Sequence, residues 1–576
     1  MNRLFRYLRP FAITAAAAMA VVFLQCMSDL FLPTLMSDIV NKGITNGDIP
    51  FIVRTGALML LVAMGGSICA VAASYLSSRA AMGMGALLRD DIFRHVSGFS
   101  LHEFDRIGTP SLVTRTTNDV TQVQMVVLLM MRMMVSAPIM MIGGIIMALS
   151  KDPGLSLVIV AVIPVLTLVI TIVASKGFPL FKSIQDKIDR INLVLREGLT
   201  GIRVIRAFNR IEDEKGRFDE ANLDLMRVSV QVNRLFAVLM PVMMFLMNFT
   251  TIAIIWFGSA RVARGSSNIG NMMAFLQYAM QILFSLLMAS FMFMMLPRAQ
   301  ASAVRINEVL DMVPEISDPV TAKSPEPGKR GSVEFRNVSF SYHGAEVPAL
   351  REISFSALPG EVTAVIGSTG SGKSTLISLI PRFYDVDSGQ ILVDGVDVRE
   401  MTQEELRSRI GLVPQKAVLF SGTVAQNIGY GCDGSCADDV LEAADTAQAA
   451  GFIAQMKEGY DSAIAQGGTN VSGGQKQRLA IARALVRKPE IYLFDDSFSA
   501  LDFKTDALLR AALRVKTADA TVLIVGQRVA TVMDADRIIV LDEGRIVGMG
   551  THRELYSTCE VYKEIVDSQL SAQEIA

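Results

Sequence analysis

A glycine-rich stretch in the second half of the chain has the residue types and spacing of a phosphate-binding loop. An apolar, strand-like run precedes it, a helix-like run follows it, and it consists of Gly367, Ser368, Thr369, Gly370, Ser371, Gly372, Lys373, Ser374 and Thr375. Glycines let the backbone curl so that its N–H groups point at phosphate oxygens, and a helix N-terminus adds a positive dipole end. Lys373 would reach the β- and γ-phosphates, and Ser374 would ligate Mg²⁺. The stretch therefore predicts binding of a nucleoside triphosphate with Mg²⁺.

Two further motifs downstream make an accidental glycine-rich turn a negligible alternative. The buried-strand run 491–494 ends at Asp495, where a carboxylate could hold Mg²⁺ near the phosphate loop. Shortly before it, Ser472 can cap a helix that opens with Gly473, Gly474 and Gln475. The free N–H groups of such a helix would face an anion.

Together these motifs closely resemble those of the ABC (ATP-binding cassette) ATPases, with residues 472–475 as the family signature. The resemblance implies that Tyr342 stacks on adenine and that Gln415 senses Mg²⁺ and the γ-phosphate. It also implies that Ser499 and Asp502 belong to the D-loop. In this family two nucleotide domains pair head to tail, so that each ATP lies between one domain's phosphate loop and the other domain's signature.

Two catalytic positions depart from the family pattern. Asp496 stands where the family usually has a glutamate that polarises the attacking water, and Gln527 stands where it has the switch histidine. The missing methylene draws the carboxylate back by about 1.5 Å, the length of one C–C bond. An error near 1 Å can lower a rate by about a hundredfold. Glutamine can donate and accept hydrogen bonds, but it lacks the titratable ring.

This combination resembles the degenerate-site subunit of heterodimeric bacterial exporters. ATP on this chain's own phosphate loop is then expected to turn over slowly and to act mainly as a clamp. The signature would complete a competent site whose other residues come from a non-identical partner half-transporter. Gln466, where exporters usually carry glutamate, is a third departure. The alternative is a slow homodimer in which Asp496 still serves as the base.

The first half of the chain supplies the elements that such a site would drive. Of the 576 residues, 51% are hydrophobic and 19% are charged, and the apolar excess lies almost wholly before residue 297. A bilayer requires a run of about 20 apolar residues. Runs of about this length lie at roughly 11–36, 52–80, 124–149, 155–177, 235–259 and 271–297. The sequence therefore predicts six membrane spans.

An even number of spans puts both termini on one side of the membrane. That side carries the nucleotide domain and the basic residues Arg3, Arg6 and Arg9, so it is expected to be cytoplasmic. The predicted fold class is multidomain. An all-α six-helix transmembrane domain of the ABC exporter type (1–312) precedes a linker (313–330) and an α/β P-loop nucleotide-binding domain (331–576). The predicted location is the bacterial cytoplasmic membrane, with membrane lipids around the spans.

Two long charged gaps between the spans, 81–123 and 178–234, show helical periodicity and are expected to project into the cytoplasm. Within them, the stretches 104–120 and 197–208 resemble the first and second intracellular loops of the exporters. The resemblance implies coupling helices in these loops that pass closure of the cassettes to the spans. Solvated helices are the alternative.

The composition of the spans also indicates a class of transported solute. They are rich in methionine, a flexible and polarizable residue that could line a cavity for varied apolar ligands. Gln277, Gln281 and Ser285 recur every four residues on one helical face, which predicts either a solute cavity wall or an interhelical contact. Amphipathic or lipophilic solutes, as in multidrug export, are therefore expected. Peptide or lipid transport, an importer such as a siderophore carrier, and a gating regulator or channel remain alternatives.

Two further properties exclude other classes of function. The formal net charge of −2 shows no basic excess, so a nucleic-acid partner is not expected. The five cysteines are Cys26, Cys69, Cys432, Cys436 and Cys559, whose placement suggests neither a disulfide framework nor a zinc site.

Overall fold

A computed structural model describes residues 3–325, 328–432, 434 and 436–569. The chain divides into two compact units. The first comprises Met1–Ser97 and Pro110–Met312, and the second comprises Gly98–Thr109 and Val313–Ala576. The short segment 98–109 therefore belongs with the C-terminal half of the chain, although it interrupts the N-terminal half in sequence.

Helices account for the ordered structure of the first unit and alternate with strands in the second, to which α3 and α10 to α19 belong. In chain order they are α1 (Ala12–Asp38), α2 (Ile49–Ser97), α3 (Leu101–Ile107), α4 (Thr109–Thr114), α5 (Val120–Lys151), α6 (Pro153–Thr200), α7 (Ile202–Ala207), α8 (Ile211–Ala263), α9 (Ile269–Asp311), α10 (Lys373–Leu379), α11 (Gln403–Ser408), α12 (Val424–Gly429), α13 (Ala437–Thr446), α14 (Ala450–Ile453), α15 (Gly473–Val486), α16 (Phe503–Lys516), α17 (Val529–Val532), α18 (His552–Thr558) and α19 (Glu560–Gln569). Short 3₁₀ or π segments add Leu4–Phe11, Ile39–Ile44, Arg115–Asp119, Gly459–Asp461 and Gln466–Gly468.

Six helical stretches of the first unit are long and apolar enough to cross a membrane. They are Leu4–Ile44, Ile49–Ser97, Thr109–Lys151, Pro153–Thr200, Pro241–Ala263 and Ile269–Ala289. Most of them extend well past the predicted apolar runs, because the more polar segments that flank the runs continue the same helical stretches. The chain is thus a multi-pass membrane protein.

One local signal sets the turn between α5 and α6. Asp152 caps α6 by accepting hydrogen bonds from the backbone N–H groups of Gly154 (2.9 Å) and Leu155 (3.2 Å), and Pro153 occupies the first helical position. Arg261 pairs with the buried Asp152 carboxylate at 3.1 Å, which ties the end of α8 to this turn. A buried carboxylate needs such a partner to offset its lost hydration.

The second unit contains strands in three sheets. The strands are β1 (Val333–Phe340), β2 (Leu350–Ala357), β3 (Val362–Gly367), β4 (Ser388–Val393), β5 (Val396–Asp397), β6 (Ile410–Val413), β7 (Gly422–Thr423), β8 (Ala463–Ile464), β9 (Ile491–Asp495), β10 (Thr521–Val525), β11 (Arg537–Asp542) and β12 (Arg545–Gly550). The sheet orders are β2-β1-β4-β5, β12-β11-β3-β10-β9-β6 and β7-β8.

The six-stranded sheet positions the chemistry. Strands β3 and β9 both run parallel to β10, which lies between them. Their carboxyl ends therefore meet at one edge of the sheet, as ligand sites in open α/β sheets require. The phosphate loop leaves β3 at this edge, and Asp495 ends β9 at the same edge.

Candidate nucleotide site

The phosphate loop has a backbone that requires glycine. Gly372 has φ +99°, and a Cβ there would lie 2.6 Å from the carbonyl oxygen of Ala349. Gly370 also has a positive φ, +86°. An L-residue side chain is strained in this region of conformational space. The next residue, Lys373, begins α10, so the loop delivers the chain directly to a helix N-terminus.

The Lys373 ammonium is folded into the loop. Its Nζ donates hydrogen bonds to the carbonyl oxygens of Gly367 (2.9 Å) and Ser368 (2.6 Å), and the residue is only 7% exposed. Burial lowers the pKa of Lys373, because a low-dielectric environment disfavours the charged form. The buried ammonium has lost hydration, and a phosphate beside it would stabilise its positive charge. The position therefore suits an anionic ligand.

Ser374 and Asp495 come from different motifs and meet at the sheet edge. The Ser374 Oγ donates a hydrogen bond to Asp495 Oδ1 at 2.9 Å, although the residues are 121 positions apart. Burial raises the pKa of the Asp495 carboxyl above its ordinary value. A hydroxyl and a carboxylate are hard oxygen ligands of the kind that Mg²⁺ prefers. The pair therefore fits the predicted metal.

Asp496 follows directly in a left-handed conformation, with φ +45°. Its backbone N–H donates to the carbonyl oxygen of Val525 at 3.0 Å. Its carboxylate lies beside Gln415, whose Nε2 is 3.4 Å from Asp496 Oδ2. The structure therefore brings Gln415, Asp495 and Asp496 to the same edge as the phosphate loop.

Gln527 lies in the turn after β10, and its backbone is held from the end of the chain. The Nε2 of Gln569, in the last turn of α19, donates to the Gln527 carbonyl oxygen at 2.9 Å. The Oε1 of Gln569 accepts from the backbone N–H of Val529 at 2.8 Å. Sequence reasoning missed Gln569, because no local motif marks a residue that acts 42 positions away.

The predicted adenine platform is part of an aromatic cluster. Tyr342 is 40% exposed, and its Oη lies 3.0 Å from Thr375 Oγ1 in the phosphate-loop helix. The ring of Tyr384 lies edge-on to it, with centroids 5.5 Å apart. The Tyr384 hydroxyl donates to Asp105 Oδ2 of α3 at 3.2 Å, and burial together with the Asp105 charge raises the pKa of Tyr384. Sequence reasoning missed Tyr384, whose position relative to α3 depends on folding.

Segment 98–109 makes further hydrogen bonds, within itself and to the rest of the second unit. Ser100 caps α3, and Glu103 accepts hydrogen bonds from the Ser100 backbone N–H (2.6 Å) and from the Glu315 backbone N–H (3.0 Å). Burial raises the pKa of Glu103, but the hydrogen bonds from Ser100 and Glu315 outweigh it and hold the pKa below its usual range. This segment overlaps the stretch 104–120, which resembles the first intracellular loop.

The signature opens α15 as an exposed cap. The Ser472 Oγ accepts from the Gln475 backbone N–H at 3.3 Å, and Gln475 Oε1 accepts from the Ser472 backbone N–H at 2.9 Å. Gly473 and Gly474 form the first helical positions. Because Ser472 and Gly473 are exposed, this helix end is accessible from outside the chain.

The two residues predicted to belong to the D-loop follow Asp496 closely in the chain and make local hydrogen bonds. The Ser499 Oγ donates to the backbone carbonyl of Asp496 at 2.9 Å. Asp502 caps α16 by accepting from the Thr505 backbone N–H at 2.9 Å. The first contact ties Ser499 to the turn that carries Asp496, whereas the second fixes the start of α16.

The three polar residues predicted on one face of the last span have three different surroundings. Gln277 is exposed, whereas Ser285 is buried and donates to the carbonyl of Ile282 within its own helix at 2.8 Å. Gln281 donates from Nε2 to the Asp29 carbonyl of α1 at 3.2 Å, which is an interhelical contact. The sequence left open a solute cavity wall or an interhelical contact, and Gln281 makes an interhelical contact.

A methionine-rich cavity of about 350 Å³ lies instead between α5 and α9. Its lining is almost entirely apolar. The lining residues are Val126, Leu129, Met130, Met133, Met134, Ala137, Pro138, Ala289, Met295 and Leu296. Such a lining suits an apolar or amphipathic guest, since methionine adapts to varied shapes.

Comparison with known proteins agrees with this organisation. The sequence matches the family model for the ABC transporter transmembrane region over residues 16–286 and the model for the ABC transporter over residues 350–499. An uncharacterized ABC transporter ATP-binding protein of Mycobacterium tuberculosis is 44% identical over 98% of this chain and 97% of its own length. A fatty acid ABC transporter ATP-binding/permease protein of Mycobacterium bovis is 32% identical over 90% of this chain and 82% of its own.

The fold has a close counterpart among solved structures. The structure of a bacterial Atm1-family ABC exporter with ATP bound is similar with a TM-score of 0.80, at 24% identity, over 99% of both chains. The predicted fold class, a six-helix transmembrane domain followed by an α/β P-loop nucleotide-binding domain, is thereby confirmed.

Proposed function

Because the chain belongs to the ABC transporter family, we propose that it exports amphipathic or lipophilic solutes, of the multidrug type, at the expense of ATP. The chain is an ABC-type ATPase with an exporter-type transmembrane domain. The observation that carries the substrate class is the apolar, methionine-rich cavity between α5 and α9. The membrane is the bacterial cytoplasmic membrane, and both termini lie on its cytoplasmic side.

The nucleotide is held by groups that the chain itself supplies. Lys373 and the N–H groups of the phosphate loop bind the phosphates, and Tyr342 stacks on the adenine. Ser374 and Asp495, in contact at 2.9 Å, would hold Mg²⁺. Gln415 lies at the same sheet edge, 3.4 Å from Asp496. Bound Mg²⁺ neutralises charge on the phosphate oxygens. Asp496 and Gln527 stand where the water that attacks the γ-phosphate has to be oriented.

We propose further that this site hydrolyses ATP slowly and that the chain pairs with a non-identical half-transporter. The support is chemical. Asp496 is one methylene shorter than glutamate, and Gln527 cannot titrate near neutral pH. The signature at Ser472 is exposed and intact, so it can complete the phosphate-loop site of a partner chain.

A second surface also supports an assembly of two chains. The segment around α7, which resembles the second intracellular loop, exposes large apolar side chains: Leu199 is 73% exposed, Val204 60% and Phe208 73%. Contiguous exposed apolar groups of this kind mark interaction sites. A second half-transporter is the partner that the family architecture offers to this surface.

The experiment compares the chain purified alone with the chain purified together with its partner. The chain alone is expected to bind ATP but to hydrolyse it slowly, and the pair is expected to show ATPase activity stimulated by amphipathic solutes in proteoliposomes. Brisk ATPase from the homodimer would remove the case for the division of labour between two sites. ATP-dependent uptake of solute into inside-out vesicles would establish export, whereas uptake into right-side-out vesicles would establish import.

A lipid is the second candidate substrate, since the Mycobacterium bovis relative is described as a fatty acid transporter. Fatty acids and cationic dyes share amphipathic character but differ in charge. Competition between a labelled fatty acid and an amphipathic dye in the same vesicles distinguishes the two substrate classes. Introducing a charge into the cavity by Met133→Lys should abolish either activity, while Met133→Leu, which keeps the lining apolar at similar volume, is the matched control.

A further inference from the structure

A cluster of imidazole and carboxylate groups lies within the second unit, apart from the phosphate loop. His102 belongs to α3, Glu315 follows the end of α9, and His343 comes one residue after Tyr342. Ligand atoms of His102, Glu103 and Glu315 all lie within 4.8 Å of one another. The rings of His102 and His343 are in contact, with centroids 5.0 Å apart and planes inclined by 41°. Two of the chain's four histidines therefore meet at one point.

The hydrogen bond of His102 determines which of its nitrogens is available. Nδ1 lies 2.5 Å from Glu315 Oε2. An ionised carboxylate can only accept a hydrogen bond, so Nδ1 carries the proton. In the neutral ring Nε2 then has a free lone pair. Nε2 is buried and has no hydrogen-bond partner among the residues that the structure describes.

This is the arrangement of a metal-ligating histidine. In such sites the ring nitrogen that does not bind the metal donates to a carboxylate, which fixes the tautomer and raises the basicity of the ligating nitrogen. A buried nitrogen lone pair without a donor is otherwise costly. The neighbouring His343 offers a second imidazole, and Glu103 and Glu315 add negative charge close by.

We propose that His102, His343 and Glu315 form a binding site for a transition-metal dication of the Zn²⁺ type. The two imidazoles would supply nitrogen ligands, Glu315 would orient His102, and water would complete the coordination. Imidazole ligands suit Zn²⁺, Ni²⁺ and Cu²⁺, whereas Mg²⁺ prefers oxygen ligands. The site is thus chemically distinct from the Ser374–Asp495 pair.

The position of the site gives it a regulatory consequence. A bound ion would join α3, in the first intracellular loop, to the turn that carries Tyr342. It would also hold the chain at Glu315, just past the last long helix of the first unit. Movement of α3 relative to the adenine platform would then be restrained while the metal is bound. Because of this restraint, we expect ATP turnover to be slower when Zn²⁺ is bound. This expectation rests on the proposed transport function, whereas Zn²⁺ binding itself does not depend on that function.

The test uses the full-length chain in nanodiscs, purified with a tag that contains no histidine, without nucleotide or Mg²⁺. Zn²⁺ is titrated in competition with a chromophoric chelator, and Co²⁺ is added separately to record its visible absorption bands. One equivalent of Zn²⁺ should bind, and millimolar Mg²⁺ should not displace it. His102→Asn and His343→Asn should each remove this binding. Glu315→Gln should weaken it by about 10- to 100-fold, as changes to orienting partners do.

A control and a second readout keep the result interpretable. His552→Asn alters a histidine whose Nδ1 lies 2.7 Å from the Tyr562 hydroxyl, away from the cluster, and should leave Zn²⁺ binding unchanged. ATP binding by each variant reports that the nucleotide domain is folded. The proposal is overturned if the chain binds no Zn²⁺, or if both His102→Asn and His343→Asn bind it as the unchanged protein does. Zn²⁺ binding without slower ATP turnover would overturn only the regulatory consequence.

Discussion

Gln415 and Asp496 contact each other across the nucleotide site, with Gln415 Nε2 3.4 Å from Asp496 Oδ2. The contact joins the residue expected to sense the γ-phosphate with the carboxylate that replaces the usual glutamate. Because the distance exceeds that of a strong charge-assisted hydrogen bond, the contact is weak. The Asp496 carboxylate is therefore free to reorient when phosphate and water enter, but its reach is limited by its length.

Lengthening this carboxylate should accelerate hydrolysis. For Asp496→Glu in the chain alone, we expect ATPase activity to rise by about tenfold to a hundredfold, since a 1 Å error in placement is worth about that much. Adding Gln527→His should raise it further. ATP turnover at saturating ATP is the measurement, with Lys373→Ala as the inactive background. No gain from either variant would mean that the short side chain does not limit the rate.

The exposed signature should matter more than Asp496 in the assembled pair. We expect Ser472→Ala to lower turnover more deeply than Asp496→Asn, because the proposed pairing assigns Ser472 to the competent site. Ser472→Ala also removes a helix cap worth about 1 kcal/mol. Thr551→Ala is a matched control, since Thr551 is an exposed cap with the same paired hydrogen bonds to Glu554. Equal losses from Ser472→Ala and Asp496→Asn would contradict an unequal division between the two sites.

The hydroxyl of Tyr384 should transmit nucleotide binding to α3. Tyr384→Phe removes the hydrogen bond to Asp105 but leaves the aromatic contact with Tyr342. Solute-stimulated ATPase is expected to fall by a few-fold while ATP affinity stays unchanged. Tyr556→Phe removes a comparable tyrosine–aspartate hydrogen bond elsewhere (2.9 Å to Asp567) and serves as the control. Loss of ATP affinity in Tyr384→Phe would point to a role in the adenine platform instead.

The support of the switch turn by Gln569 should affect the rate of hydrolysis rather than ATP binding. Gln569→Ala removes two hydrogen bonds to the backbone of the turn, at Gln527 and Val529. Each is worth roughly 1 kcal/mol, so we expect kcat to fall by at most about thirtyfold, with KM for ATP little changed. Gln569→Glu keeps the acceptor for the Val529 N–H, so its kcat should lie between that of the unchanged protein and that of Gln569→Ala. An unchanged kcat in Gln569→Ala would show that the turn holds its shape without α19.

An ion pair near the end of α9 should contribute to the stability of the first unit. Asp119 is 2% exposed and accepts hydrogen bonds from Ser302 Oγ (2.9 Å) and from Arg305 Nε (2.8 Å). Arg305→Gln leaves that buried carboxylate without its cation, which should cost about 3 kcal/mol at most, since Arg305 is partly exposed. A lower thermal unfolding midpoint in detergent is the expected result. Arg298→Gln, at an exposed position of the same helix, should leave the midpoint unchanged.

Features that depend on a short contiguous segment could be predicted from the sequence alone. The phosphate loop, the signature and the six apolar runs belong to this class, because each depends on local backbone geometry or on local hydropathy. The departures at Asp496 and Gln527 are equally visible, since each lies beside an easily aligned motif. Most predicted spans are shorter than the helices, because an apolar run marks only the part of a helix that lies within the bilayer. Helix hydrogen bonding continues into charged segments such as the end of α6.

Contacts between residues distant in sequence were decided only by tertiary structure. The pairing of Gln569 with Gln527, the attachment of Tyr384 to Asp105 and the meeting of His102 with His343 all depend on which surfaces pack together. The same holds for Gln277, Gln281 and Ser285, which share a helical face in sequence but differ in their neighbours. Local patterns specify what a segment can form, whereas packing selects which of its side chains acquire partners, because burial makes an unpaired polar group costly.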